Sequence, residues 1–306
     1  MTRRLLASAA ALALVVAACG DDGAATTTTT TEAPTTTTEA PTTTTTETTT
    51  TTAQPTTTTT PEQTGAVVYL MVDSVGEGIP GPHLVPVFRQ DAAATLDGAL
   101  TALLAGPTQD EAEGMPHLST AIPEGTRLID VTRDGSTAVV DLTGTYDDGG
   151  GSFGMFARLA QVVYTATRHP EIEAVTFLLD GEAVEVFSSE GIVLDRPQTR
   201  DDYLDLLPAI FVDTPAWGEE VTSPFTVSGV ANVFEAVFQV TFTDDDGLPL
   251  FEDTVMASCG TGCWGVFEFQ IDYVVDRDQF GALIVWEASA RDGSQVNVRE
   301  YPLQLR

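Results

Sequence analysis

The chain has 306 residues and a formal net charge of −32, from 45 acidic and 13 basic residues, and all the basic residues are arginine. So acidic a surface repels nucleic-acid phosphates and gives no polybasic patch for anionic lipids, which excludes nucleic-acid binding and electrostatic attachment to a membrane. The length predicts about two folded domains, and the charge is typical of a soluble surface.

The N-terminus, residues 1–18, is typical of a secretory signal peptide. Two arginines precede an apolar run over residues 5–16 that is too short to cross a bilayer as a helix. Residues 16–19, Val-Ala-Ala-Cys, resemble the bacterial lipobox. The resemblance implies that the sulfur of Cys19 carries a diacylglycerol, that the peptide is cut before it, and that acyl chains (palmitate-type) anchor the chain to the outer face of the cell membrane. The alternative is an ordinary signal peptide cleaved nearby.

Residues 19–64 are predicted to be the lipidated cysteine and a disordered linker. From residue 24 to residue 60 the chain is almost entirely threonine, broken by Glu, Ala and Pro, and it has no apolar periodicity from which a core could form. A coil from residue 20 to residue 64 would average roughly 40 Å end to end and could extend to about 150 Å. This stretch suits a stalk that carries domains away from the membrane, although a passive tether is the alternative. The composition also permits O-glycosylation.

Residues 65–207 are predicted to form a first domain in which strands and helices interleave, an α+β arrangement. The first helix would be capped by Asp91 and ended by Gly106 and Pro107. Turn sequences at residues 133–136 and 180–182 predict two hairpins. The predicted strands are 66–72, 84–88, 127–132, 137–142, 175–179 and 183–187, and the predicted helices are 93–105 and 153–168.

Six stretches of this domain, in chain order, are 84–87 (LVPV), 102–108 (ALLAGPT), 121–126 (AIPEGT), 138–142 (AVVDL), 158–165 (RLAQVVYT) and 177–181 (FLLDG). Together they closely resemble the GerMN domain of bacterial spore-germination and sporulation lipoproteins, including the LpqB-like lipoproteins of actinobacteria. The resemblance covers essentially the whole segment. It implies no catalytic residues.

Residues 208–306 are predicted to form an all-β sandwich of immunoglobulin type. About seven short alternating runs are separated by turns, with almost no helical pattern. The predicted strands are 210–212, 225–230, 236–243, 251–256, 264–271, 282–290 and 296–305. Cys259 and Cys263 lie close together in one loop, and in an oxidising compartment we expect them to form a disulfide that adds modest stability.

Residues 221–224 (VTSP), 227–236 (VSGVANVFEA) and 286–294 (WEASARDGS) resemble the immunoglobulin-like domain that often accompanies GerMN. The usual counterpart of Trp286 is apolar or aromatic, so we expect Trp286 in the core.

Two motifs match catalytic or cofactor-binding patterns but lack the surrounding sequence that those patterns need. Residues 76–81 match a dinucleotide fingerprint, but Pro82 and His83 follow and no helix opens there. Residues 150–154 match a nucleophile elbow around Ser152, but they follow a slack loop, and no acidic residue lies between Ser152 and His169. We interpret both as loops.

Scattered polar residues give no firm site either. The three histidines are isolated, which argues against zinc, and the Asp-rich segments 147–148 and 244–247 lack the ligand spacing of a calcium loop. Glu111 and Glu113 are expected in a loop after the first helix, and whether they share a cleft is open. We therefore expect no metal, no cofactor and no catalytic residue.

The sequence thus favours a surface-anchored, non-enzymatic lipoprotein that binds or assembles envelope components. The resemblance implies a role in germination, sporulation complexes or envelope signalling, and the partners that we expect are envelope proteins or cell-wall glycan. A separate hypothesis, which the LpqB-like resemblance suggests, is a partner role for a sensor kinase. The alternative is a cell-wall hydrolase or modifying enzyme on the same anchor.

Overall fold

A computed structural model describes residues 65–73, 81–115, 117–189 and 191–306. All of them belong to one compact unit, Thr59–Arg306. The predicted signal peptide, the lipid attachment at Cys19 and the stalk lie outside the described residues, as does most of the glycine motif at 76–81. No helix among the described residues is long and apolar enough to cross a membrane.

The first domain interleaves strands and helices, and the α+β prediction is confirmed. Its elements are β1 (Ala66–Val72), β2 (His83–Arg89), α1 (Leu96–Leu104), α2 (Gln109–Gly114), β3 (Leu118–Ser119), β4 (Leu128–Asp134), β5 (Thr137–Leu142), α3 (Ser152–Ala166), β6 (Ala174–Leu179), β7 (Glu182–Ala183), β8 (Val186–Phe187) and β9 (Ile192–Val193), with 3-10 helices at Gly144–Asp147 and Arg200–Leu206.

Two sheets, in the orders β2-β1-β3 and β4-β5-β6-β7, and the small hairpin β8-β9 make up this domain. Strands β5 and β6 are parallel and α3 connects them, as a parallel pair requires. Helix α3 packs against β1, β6 and α1, so its polar residues Arg158, Gln161 and Thr165 are buried too. Gln161 Nε2 donates to the carbonyl oxygen of Tyr69 over 2.9 Å, and Thr165 Oγ1 accepts from the Tyr69 amide over 3.1 Å. These bonds fix the middle of β1 against the helix.

The helix starts differ from the sequence predictions. Helix α1 is capped by Thr95, whose side chain accepts from the Gly98 amide over 3.3 Å, and not by Asp91. The stretch that holds Glu111, predicted as a loop, forms the short helix α2, because Thr108 and Glu111 make a reciprocal capping box.

The second domain contains the strands β10 (Ile210–Thr214), β11 (Glu220–Val221), β12 (Phe225–Ala231), β13 (Val237–Thr243), β14 (Pro249–Met256), β15 (Gly265–Ile271), β16 (Gln279–Ala288) and β17 (Gln295–Leu305). They form one sheet in the order β10-β12-β15 and another in the order β11-β17-β16-β13-β14. Aromatic side chains fill the space between the sheets, for example Phe238 against Phe267 with ring centroids 4.8 Å apart. The all-β sandwich prediction is confirmed.

The expectation that Trp286 lies in the core is wrong. Alternation along β16 places Leu283 and Val285 in the core, so Trp286 points to the other face and is only partly buried. On the neighbouring strand β13, the residue directly opposite Trp286 is the polar Gln239.

One glycine of the sandwich is needed for close backbone approach. A Cβ at Gly229 on β12 would overlap the carbonyl oxygen of Phe211 on β10 and lie 2.8 Å from a ring carbon of Phe267. The position therefore keeps β10 and β12 at their observed spacing.

We predict that Gly229→Ala lowers the free energy of unfolding by about 1–3 kcal/mol, because backbone or ring atoms must move. The control is Gly154→Ala in α3, where no atom lies within 4 Å of the new Cβ. It should stabilise the chain by about 0.5–1 kcal/mol through helix propensity. Urea unfolding measures both, and equal effects would contradict the packing argument.

Candidate functional site

The two domains meet at a cluster of side chains that we call the Asp213 cluster: Tyr69, Arg168, Arg200 and Asp213. Asp213 lies on β10 of the second domain, and the other three come from the first. Arg200 Nη1 donates to Asp213 Oδ2 over 2.9 Å, and Arg168 Nη1 donates to the same oxygen over 3.2 Å. The Tyr69 hydroxyl donates to Asp213 Oδ1. Arg168 Nη1 also reaches Thr214 Oγ1 over 2.8 Å. One carboxylate thus accepts hydrogen bonds from side chains in three separate parts of the first domain.

The guanidinium of Arg200 makes both hydrogen bonds and contacts with aromatic rings. Its Nε donates to Thr167 Oγ1 over 2.7 Å, and its Nη2 lies 3.1 Å from the Tyr69 hydroxyl and 3.2 Å from the carbonyl oxygen of Tyr164. The guanidinium carbon also lies 4.7 Å from the ring centroid of Tyr164 and 5.3 Å from that of Tyr69. Stacking on two rings stabilises the cation where water is scarce.

The backbones of the two domains are also joined. The amide of Trp217 donates to the carbonyl oxygen of Pro86, and the amide of Phe88 donates to that of Trp217, both over 2.9 Å. The chain after β10 therefore forms a single β-bridge with β2 of the first domain. Together with the Asp213 cluster, this gives the domains a defined orientation.

The protonation states of the cluster follow from burial and charge. Burial raises the pKa of Asp213, but the positive charges of Arg200 and Arg168 more than offset this, so the pKa lies below its ordinary value. Burial raises the pKa of Tyr69 and of Tyr164 well above the ordinary value. At neutral pH Asp213 is thus ionised and both tyrosines are protonated, which suits a structural junction better than proton transfer.

Two cavities flank the cluster and share Arg200, Asp201 and Asp213; we call them together the interdomain groove. One cavity, which we call the polar part because charged and hydroxyl-bearing residues make up most of its lining, has a volume of about 570 Å³. The other, the apolar part, has a volume of about 450 Å³. Residues of both domains line the apolar part, among them Tyr164, Leu204, Leu207, Phe211, Val230 and Val266. Sites between domains with an apolar lining and a few polar groups are typical of ligand binding.

The predicted cysteine pair lies elsewhere. Cys259 and Cys263 are bonded in the loop between β14 and β15, with 5.9 Å between their Cα atoms. The amide of Thr261 within this loop donates to the carbonyl oxygen of Val233 over 2.8 Å, and Glu235 donates its amide to Thr261 Oγ1 over 2.9 Å. The disulfide loop is thus packed on the bend that precedes β13.

Glu111 and Glu113 do not form an acid–base pair in a cleft. Arg89 binds Glu111 through Nε over 2.8 Å and Nη2 over 2.7 Å, while Glu113 accepts from Gln109 Nε2 over 2.8 Å. Arg89 also donates from Nη2 to the carbonyl oxygen of Gly106 over 2.7 Å. Glu111 therefore fixes the end of α1 to the start of α2.

The remaining candidate motifs have structural partners of their own. Residue Ser152 begins α3 directly, with Gly151 as its N-cap. Asp244 Oδ1 accepts from the amides of Asp246, over 3.0 Å, and Leu248, over 2.8 Å, so this carboxylate closes a turn. Within the described ranges, no three His, Cys, Asp or Glu residues are grouped so that they could hold a metal ion.

Sequence reasoning missed the Asp213 cluster. One signal was available: Asp213 is a charged residue at the end of an otherwise apolar strand segment, Ile-Phe-Val-Asp-Thr. Such a residue needs a partner, and arginine is scarce in this chain. The sequence cannot say which arginine supplies it, because Arg168 and Arg200 meet Asp213 only through the fold.

We predict that Asp213→Asn lowers the free energy of unfolding by about 2–3 kcal/mol, because two guanidiniums lose their counter-charge. Water reaches about a fifth of the Asp213 side chain, so the loss stays below the range for fully buried pairs. The control is Glu171→Gln, which breaks the exposed Arg133–Glu171 pair. That change should alter stability by at most about 0.5–1 kcal/mol in urea unfolding.

The same carboxylate should make stability depend on pH. Because its pKa is lowered on folding, its contribution is present above the unfolded value of about 4 and is lost as the pH falls through the folded value. Unfolding midpoints measured from about pH 6 to pH 2 should fall more steeply for the wild type than for Asp213→Asn. Parallel curves would show that Asp213 is not the titrating group.

The two domains match two family models. Residues 67–185 match Germane, described as sporulation and spore germination. Residues 209–294 match Gmad2, described as the immunoglobulin-like domain of bacterial spore germination. No curated protein matches the chain significantly.

Several solved structures are distantly similar to the chain. A Clostridium perfringens protein described as a lipoprotein is 18% identical over 47% of this chain and 91% of its own, with a TM-score of 0.31. The first GerMN domain of the Bacillus subtilis sporulation protein GerM is 16% identical over 45% and 98%, with a TM-score of 0.36. The tandem GerMN domains of the same protein are 13% identical over 68% and 61%, with a TM-score of 0.37.

The two family models cover separate segments, and each segment has the architecture described above. The chain therefore carries a sporulation and spore germination domain of the GerMN type followed by an immunoglobulin-like domain of bacterial spore germination.

Proposed function

We propose that the chain is a non-enzymatic binding or assembly module of the bacterial cell envelope, attached through a lipid on Cys19 to the outer face of the cell membrane. Both domains belong to families of sporulation and spore germination, which points to a non-catalytic envelope module. The signal-like N-terminus supports export, and the threonine-rich segment supports a stalk. In this compartment Cys259 and Cys263 would stay oxidised.

The observation that carries the proposal is the saturation of the Asp213 cluster. Active sites keep a charged group poised for proton transfer or attack. Here Arg168 and Arg200 both donate to one carboxylate oxygen of Asp213, and the hydroxyl of Tyr69 donates to the other oxygen. The buried charges hold one domain against the other. Two domains joined by these contacts present one surface to a partner, which suits a binding module.

The partners in this proposal are envelope proteins or cell-wall glycan. The net charge of −32 favours a partner with basic groups and disfavours nucleic acid. A stalk of roughly 40 Å average length would let the domains reach a partner embedded in or lying beneath the wall.

We predict that Cys19→Ala moves the chain from the membrane fraction to the soluble fraction and abolishes labelling with radioactive palmitate. One acyl chain binds a membrane only marginally and two or more bind it stably, so loss of the acylated cysteine leaves no anchor. The control, Cys259→Ala with Cys263→Ala, should stay labelled and membrane-bound. A Cys19→Ala form that stays in the membrane fraction would refute the anchor.

Incubation with purified cell wall tests the absence of catalysis. We expect the full chain either to sediment with the wall or to stay in solution, and to release no soluble wall fragments. Asp213→Asn, which disturbs the Asp213 cluster, should leave fragment release at the same background. Fragment release above that background by the wild type would establish a wall hydrolase instead.

A further inference from the structure

We propose that the interdomain groove binds an extended peptide segment of another envelope protein, one that carries an apolar side chain beside a basic side chain. The inference rests on the proposed binding function and names where the partner docks and what chemistry it has. The two parts of the groove, of about 450 and 570 Å³, lie in the volume range of ligand sites, and both are open to solvent, which suits a peptide that lies along the surface.

The apolar part of the groove supplies the surface for the apolar side chain. Its floor is the outer face of the sheet β10-β12-β15, where Val230 on β12 lies directly opposite Val266 on β15. Leu204 and Leu207 of the first domain form its wall. The side chain of Val266 is 64% exposed. Covering such a valine and its neighbours removes apolar surface from water, which is favourable in proportion to the area covered.

The charges around the groove select a basic partner. Its two arginines, Arg168 and Arg200, are already paired with Asp213. The charged side chains that remain are acidic and exposed: Glu173 and Asp201 in the polar part, and Glu268 beside the valine pair. A cationic side chain would gain from these carboxylates, and an anionic one would be repelled.

The position of the two parts, one on each side of residues that they share, favours a peptide over a compact ligand. The two parts of the groove meet at Arg200, Asp201 and Asp213, so a ligand that fills both must pass over the domain junction. Glu268 lies on the same strand as Val266 and two residues along it, on the same face of the sheet. An extended chain presents side chains at the same two-residue period, so an apolar and a basic residue at i and i+2 match this pair.

The test uses random peptides of about twelve residues displayed on phage and selected on the full chain in detergent. We expect enriched peptides that combine apolar with basic residues. In fluorescence-polarisation titrations, Val266→Asp and Glu268→Lys should each weaken their binding at least about tenfold. The matched controls change residues outside the groove: Val274→Asp, at a valine that is 90% exposed, and Glu252→Lys on β14. Both should bind like the wild type, and thermal melting verifies that all four variants fold.

The proposal is overturned if no peptide is enriched, if the enriched peptides are acidic, or if Val266→Asp and Glu268→Lys bind them as tightly as the controls do. A second measurement separates this failure from failure of the proposed function. Partners are co-purified from cross-linked membranes with the wild type, Val266→Asp and Glu268→Lys. Equal recovery with all three forms overturns the groove and leaves the binding function intact. If Val266→Asp and Glu268→Lys recover less of a partner than the wild type does, the groove is supported. If even the wild type recovers no partner, both the groove and the proposed binding function are overturned.

Discussion

The carboxylate of Asp213 lies where the two domains meet and accepts from Arg168, Arg200 and Tyr69 at once. Removing a carboxylate from water is costly unless it gains strong partners. Here every partner comes from the first domain, while Asp213 belongs to the first strand of the second. Docking of the domains therefore satisfies a charge that either domain would otherwise have to leave in water. This coupling is one of the contacts that join the two modules in one compact unit.

The first domain is built to deliver these partners. Helix α3 crosses behind β1, and its buried Gln161 and Thr165 bond the backbone of Tyr69. The same helix ends just before Arg168, and Thr167 at its end binds Arg200. A single buried helix thus positions all three groups that face Asp213. Both of these buried polar side chains, Gln161 and Thr165, have defined hydrogen-bond partners, as burial requires.

The interdomain groove is a consequence of this docking. It exists only because the 3-10 helix of the first domain stands beside the outer face of a three-stranded sheet of the second. Neither domain alone would present both the leucine wall and the valine floor. At the groove two arginines share the single carboxylate of Asp213, Tyr164 stays protonated, and the outer carboxylates are exposed.

Local pattern alone was enough for most elements. β1 spans the predicted residues 66–72. β5, one strand of a predicted hairpin, likewise spans the predicted residues 137–142. Both predictions are confirmed because alternation of apolar residues and turn chemistry are short-range properties. One error is also local: Thr95 replaces Asp91 as a cap, since several side chains within a few residues can compete for the same amides.

The order of an α+β domain before a β-sandwich was therefore determined by the sequence itself, through periodicity and motif order. The Asp213 cluster was decided only by the tertiary structure, because Tyr69 and Asp213 are 144 residues apart and no short-range pattern relates them. The outward position of Trp286 likewise depends on which face of β16 the second sheet covers. Contacts between distant residues follow from how the layers pack, and this packing creates the groove.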